Sequence, residues 1–113
     1  MSELEIQVGE RPGGGRLLTL RGPLTLNTLF EFMAVLRQDH TDLIIDLSAV
    51  PFMDSAGLGA ILGGFASCQR NGHRFALVNT PQRVMTLLQV SRVDTLLPLF
   101  ASLEAAEAQA AAQ

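Results

Sequence analysis

The run Leu43-Ile44-Ile45-Asp46-Leu47, followed after a short loop by Asp54-Ser55-Ala56-Gly57-Leu58-Gly59, narrows the folds open to this chain more than any other segment. A stretch that apolar suits a strand covered on both faces, which calls for layers on either side of a sheet. The positions that follow, Leu58, Ile61, Leu62, Phe65 and Cys68, recur at helical spacing, with Ser55 opening the helix and Asn71-Gly72 supplying a left-handed stop. A buried strand that feeds a helix points to an α/β fold.

The flanking segments extend this pattern. Leu4, Ile6 and Val8 alternate with Glu5 and Gln7, the period of a strand with one buried face, and Arg11-Pro12-Gly13-Gly14-Gly15 turns the chain into a second apolar strand over 17–20. Leu29, Phe30, Met33 and Leu36 predict a first helix, with Thr28 and Glu31 forming a capping box. Phe75-Ala76-Leu77-Val78 is a further strand, and Thr80-Pro81 places a hydroxyl and a proline at the start of a helix whose Val84, Leu87 and Leu88 face the core. Residues 96–100 predict a short edge strand, because Pro98 lacks the amide a central strand needs, and Ser102 caps a last helix. The order ββαβαβαβα implies a mixed β-sheet with helices packed against it.

At 113 residues and 48% hydrophobic content the chain is expected to form one domain over 1–113, with a core from about residue 4 to 104 and an alanine-rich tail over 105–113 that favours helix but offers few anchoring side chains. The net charge is −3, there is no lysine, and the eight arginines are scattered from Arg11 to Arg92, so no basic stripe exists for a phosphate backbone and no nucleic-acid partner is expected. No apolar run approaches the roughly 18 residues of a membrane span, and no signal peptide opens the chain, so no membrane insertion is expected. Cys68 stands alone in an apolar helical stretch, which suits a buried thiol in the reducing cytoplasm.

Enzymatic readings find little support. Gly57, Gly59, Gly63 and Gly64 do not follow GxGxxG, and a Walker loop needs a Gly-Lys pair that this chain lacks. Gly57 and Gly59 are instead expected to let a partner's backbone approach, and Gly63 and Gly64 to let the helix pack. His40, His73 and Cys68 do not cluster with carboxylates at ligand spacing, so neither metal nor cofactor is expected. Ser55 is flanked by Asp54 and Ala56, not by the glycines of a nucleophile elbow, and no base is visible for it. Asp54 reads as a turn former and Asp46 as a hydrogen-bonded strand residue. Ser55 itself is suited to two tasks. Its hydroxyl can cap the helix, and the free amides and positive dipole end there can accommodate a phosphate.

The segments Leu43-Ile44-Ile45-Asp46-Leu47-Ser48, Phe52-Met53-Asp54-Ser55-Ala56-Gly57-Leu58-Gly59, Leu77-Val78-Asn79 with Pro81, and Val93-Asp94-Thr95-Leu96-Leu97-Pro98-Leu99-Phe100 together resemble the STAS domain family, and within it the bacterial anti-sigma-factor antagonists. The resemblance runs from about Gly22 to Ala106. It implies a phosphoprotein that regulates transcription by partner switching: the unphosphorylated antagonist binds an anti-sigma factor of the serine-kinase type and so releases a sigma factor. The kinase phosphorylates the antagonist on the serine matched by Ser55, which ends binding, and a serine phosphatase restores it. The chain would be a substrate and not an enzyme, with Asp54, Ser55, Ala56, Gly57, Leu58 and Gly59 meeting the partner and Thr25 and Asn27 beside them. Many antagonists carry an acidic residue where this chain has Thr25. The resemblance also admits a non-switching STAS subunit of a lipid ABC transporter or a scaffold module of a signalling complex. A monomer, or a weak homodimer through the exposed hairpin, completes the expectation.

Overall fold

A computed structural model describes residues 3–38 and 40–111; residues 1, 2, 39, 112 and 113 of the expected domain lie outside the described residues. The elements are β1 (Glu5–Glu10), β2 (Arg16–Arg21), α1 (Leu29–Gln38), β3 (Leu43–Ala49), α2 (Ser55–Arg70), β4 (Phe75–Val78), α3 (Gln82–Val90), β5 (Leu99–Phe100) and α4 (Leu103–Ala111), the order expected from the sequence. The sheet runs β1-β2-β3-β4-β5, antiparallel between β1 and β2 and parallel elsewhere.

The apolar run of β3 lies at the centre of the sheet, and its alternate side chains divide between two cores. On one face Leu43, Ile45 and Leu47 join Leu18, Leu20 and Leu77 beneath Phe32 of α1, Ile61 and Phe65 of α2, and Val84 and Leu88 of α3. Each fully buried side chain of this size contributes about 1.5–3 kcal/mol. On the other face Ile44, Ala76 and Val78 meet Ala106 of α4, with Leu17, Phe100 and Leu103 at the margin. The two cores place the parallel strands between helical layers, which explains why β4 is wholly apolar and β3 is apolar except for half-buried Asp46 and exposed Ser48 towards its carboxyl end.

Several local expectations are corrected. In α1 Phe32, not Phe30, faces the core; the face is built on Leu29, Phe32, Met33 and Leu36, leaving Phe30 in solvent. The Thr28 hydroxyl, expected to form a capping box, turns back to the preceding loop, donating to the Pro23 carbonyl at 2.8 Å and accepting from the Thr25 amide at 3.0 Å. In α3 the N-cap is Pro81, and the Thr80 hydroxyl is buried with no hydrogen-bond partner among the described residues. The edge strand contracts to Leu99–Phe100 because residues 93–97 form a turn in which the Leu96 and Leu97 amides both donate to the Val93 carbonyl. Leu4, just ahead of β1, is buried and Ile6 within it is half-buried, but Val8 is exposed on this edge strand, so the expected buried face does not extend along its whole length.

Other expectations hold. Gly72 adopts φ 72° after Asn71, the Gly72 amide donates to the Gln69 carbonyl and the His73 amide to the Cys68 carbonyl, so α2 ends in a Schellman motif. Ser102 caps α4 by accepting from the Ala105 amide at 3.1 Å. Cys68 is buried, and desolvation, reinforced by the Asp42 charge and opposed by Arg16, pushes its thiol above the ordinary range.

Candidate functional site

Two loops meet at the carboxyl end of the parallel strands: the β2–α1 loop over residues 22–28 and the β3–α2 loop over residues 50–54. They are joined by a parallel bridge between Leu24 and Met53, with the Leu24 amide donating to the Phe52 carbonyl at 3.1 Å and the Asp54 amide to the Leu24 carbonyl at 3.3 Å. Buried Leu24 and Met53 pin this pair to the core, so the loops behave as an extension of the sheet.

Asp54 is the hinge of the arrangement. With φ −100° and ψ −178° it is the N-cap of α2, and its Oδ1 accepts from the Gly57 amide at 2.8 Å. Its Oδ2 accepts from the Leu26 amide of the other loop at 3.1 Å. One carboxylate therefore caps the helix and ties down the neighbouring loop, and its charge faces the positive end of the helix dipole.

This assignment corrects the reading of Ser55 as a cap. Ser55 is the first residue inside α2, it is exposed, and its hydroxyl makes no hydrogen bond among the described residues. The Ser55 and Ala56 amides likewise find no acceptor among the described residues, as expected for the first positions of a helix. A solvent-facing hydroxyl thus stands beside two unpaired amides, at a point fixed by the Asp54 network.

The remaining expected residues separate into surface and support. Leu58 is 6% exposed and belongs to the core, so it cannot meet a partner directly. Gly57 is buried, and a Cβ there would stand 2.1 Å from the Leu24 carbonyl oxygen; the glycine is required for the approach of this chain's own loop, not of a partner. Gly59 is exposed with open space above it, as a partner-facing position requires, and Ala56 is half-buried. Gly63, expected to serve packing, also faces open space, whereas Gly64 packs against Leu36 and Phe75. Thr25 accepts from the Asn27 amide at 3.3 Å, a local turn that leaves the Asn27 side chain in solvent.

Sequence reasoning missed three exposed apolar residues around this point: Leu26, 60% exposed, Phe30, 63%, and Phe52, 45%. They project from the two joined loops and the first turn of α1. An apolar residue inside each polar loop, and a phenylalanine out of step with Leu29, Phe32, Met33 and Leu36, were the available signals. Between α1 and α2 a groove of about 420 Å³ is lined by Met33, Leu36, Ala56, Gly59 and Gly63, so an apolar surface continues away from Ser55. No group of three or more potential metal ligands occurs among the described residues, and no described helix is long and apolar enough to cross a membrane.

Comparison with known proteins agrees with this geometry. The model of the STAS domain family matches residues 5–106. The anti-sigma-B factor antagonist of Bacillus subtilis (strain 168) is 30% identical over 76 residues, covering 67% of this chain and 70% of that protein. The fold is similar to the anti-sigma factor antagonist SpoIIAA in its unphosphorylated form, with a TM-score of 0.78 at 22% identity over 96% of this chain and 98% of that one. An anti-sigma factor antagonist from Mycobacterium paratuberculosis gives a TM-score of 0.77 at 22% identity, over 89% and 88% of the two chains.

Proposed function

This chain belongs to the STAS domain family, and from that premise we propose that it is an anti-sigma-factor antagonist working by partner switching at Ser55. Unphosphorylated, the joined loops and the start of α2 bind an anti-sigma factor of the serine-kinase type in the cytoplasm and release a sigma factor. Phosphorylation of Ser55 by that kinase ends binding, and a serine phosphatase restores it. The chain catalyses nothing itself, and residues 1–113 act as one domain.

The observation that carries the proposal is the division of labour between neighbours: Asp54 caps α2, which leaves the Ser55 hydroxyl exposed and uncommitted. A structural serine would have been consumed by the cap. Phosphorylation adds about −1.5 to −2 charge beside the Asp54 carboxylate, next to joined loops that expose Leu26 and Phe52. A misplaced charge in such an interface costs roughly 3 kcal/mol, about a hundredfold in affinity. The helix amides of Ser55 and Ala56 can hold the phosphate without refolding. Thr25 stands where many antagonists carry an acidic residue, so recognition of this loop by the kinase differs from theirs in charge.

Affinity capture from host lysate with wild-type, Ser55→Ala and Ser55→Glu baits tests the proposal. An anti-sigma factor held by the first two and lost by the third is the expected result. Capture of one set of proteins by all three, transporter components above all, would contradict it.

A further inference from the structure

At the opposite end of the sheet from Ser55, a cavity of about 520 Å³ lies under α4, at the amino ends of β3 and β4. Its volume falls in the roughly 300–1,000 Å³ range of small-molecule sites. Its origin is legible in the sequence: α4 reads Leu-Glu-Ala-Ala-Glu-Ala-Gln-Ala-Ala, so the helix covers the sheet with methyl groups. Ala106 and Ala110 of α4 face it with Ile44, Ala76 and Phe100 of the sheet, an apolar patch flanked by the polar side chains of Gln69 and Gln109. Small residues facing a small residue, Ala76, leave space that larger side chains would have filled. A sealed void of this size would cost as much as a domain's whole stability, so the space must communicate with solvent and be filled by water or a ligand.

The charged groups gather at the mouth. Arg11 Nη2 donates to Glu107 Oε2 at 2.9 Å, joining the β1–β2 turn to α4, and Arg74 Nη1 donates to the Ala110 carbonyl at 2.7 Å. Asp42, the other acid there, is already engaged: Oδ1 accepts from the Arg74 amide at 2.9 Å and lies 3.6 Å from His73 Nδ1. A guanidinium offers five donors, and each of these has only one acceptor among the described residues. The Glu107 contact shows that a carboxylate fits at this mouth with charge-assisted geometry.

We propose that this cavity is a binding site for a small amphiphilic carboxylate, with its alkyl or aryl body on Ile44, Ala76 and Phe100 and its carboxylate on Arg74 and Arg11. The ligand competes with Glu107 for Arg11 and replaces water over an apolar floor. The site is separate from Ser55 and does not depend on the reading of that residue.

Octanoate titrated into the 15N-labelled full chain tests this. Saturable shifts of the Ile44, Ala76 and Ala106 amides are expected, with affinity weakened about threefold to fivefold by Arg74→Met and by replacing octanoate with octan-1-ol, because either change removes a pair made by an exposed guanidinium. Ala110→Leu, which fills the space from the half-exposed roof, should abolish the shifts while leaving the remaining spectrum folded. Absence of saturable shifts at low-millimolar octanoate overturns the proposal. So does equal binding by wild type and both variants, the mark of an adventitious additive only.

Discussion

Helices α2 and α4 are both rich in small residues, yet they are held in opposite ways. α2 buries Leu58, Ile61, Phe65 and Cys68, is capped by Asp54 at its start and ends in a Schellman motif at Gly72. α4 buries Ala106 alone among the residues whose side chains are described, and adds the Ser102 cap, the Arg11–Glu107 pair and the Arg74 contact with the Ala110 carbonyl. The first is fixed so firmly that an exposed hydroxyl can be presented in one place without contributing to stability. The second is latched by surface contacts over a cavity. A fixed start for α2 suits recognition by a partner, and a loosely held cover suits exchange of a small ligand.

The largest effect expected is that of Leu58→Arg. A charge forced into the core beneath α2 should cost more than about 4 kcal/mol and leave little folded protein in circular dichroism; a stable, folded variant would show that α2 is not anchored as described.

Asp54→Ala should follow, at about 1–2 kcal/mol, because it removes the cap and the tie to the Leu26 amide together. Ser55→Ala should stay within about 0.5 kcal/mol of wild type in urea unfolding. Equal losses at the two positions would mean that the serine shares the capping after all.

Cys68 sharpens the comparison from the side of α2. Its folded thiol titrates above the ordinary range, so as pH rises through that range the unfolded state loses its proton first and stability falls. That alkaline loss should be reduced in Cys68→Ala, as measured by denaturation at neutral and alkaline pH. An unchanged slope would assign it to another group.

The smallest global effect belongs to Glu107→Gln, since an exposed ion pair is worth about 0–1 kcal/mol. Its expected signature is local: faster amide exchange across α4 with no change in α2. Uniform change in both helices would break the contrast between them.

The element order was legible because the hydrophobic period switches cleanly between strand and helix, as from Ile45 to Ile61 and from Leu77 to Val84. The errors arose where two local choices were equally good. Asp54 and Ser55 are both preferred caps, and only the reach of Asp54 to the Leu26 amide across the loops selects the former. Phe30 and Phe32 both fit a short apolar helix until the sheet beneath decides. Gly57 reads as a partner-facing glycine because the Leu24 carbonyl that requires it is distant in sequence. The fold was therefore readable from pattern, the candidate serine was singled out by its motif, and the support around it emerges only from tertiary contact. The apolar rim of Leu26, Phe30 and Phe52 was hidden for the same reason.

The most direct test measures the affinity of the captured anti-sigma factor for this chain carrying phosphoserine at position 55, set beside the unmodified chain, by calorimetry. Binding weaker by about a hundredfold with an unchanged melting temperature is the result expected of an exposed, uncommitted hydroxyl at an interface. Equal affinity for both forms would contradict the switch, and a large fall in melting temperature would show that Ser55 supports the fold.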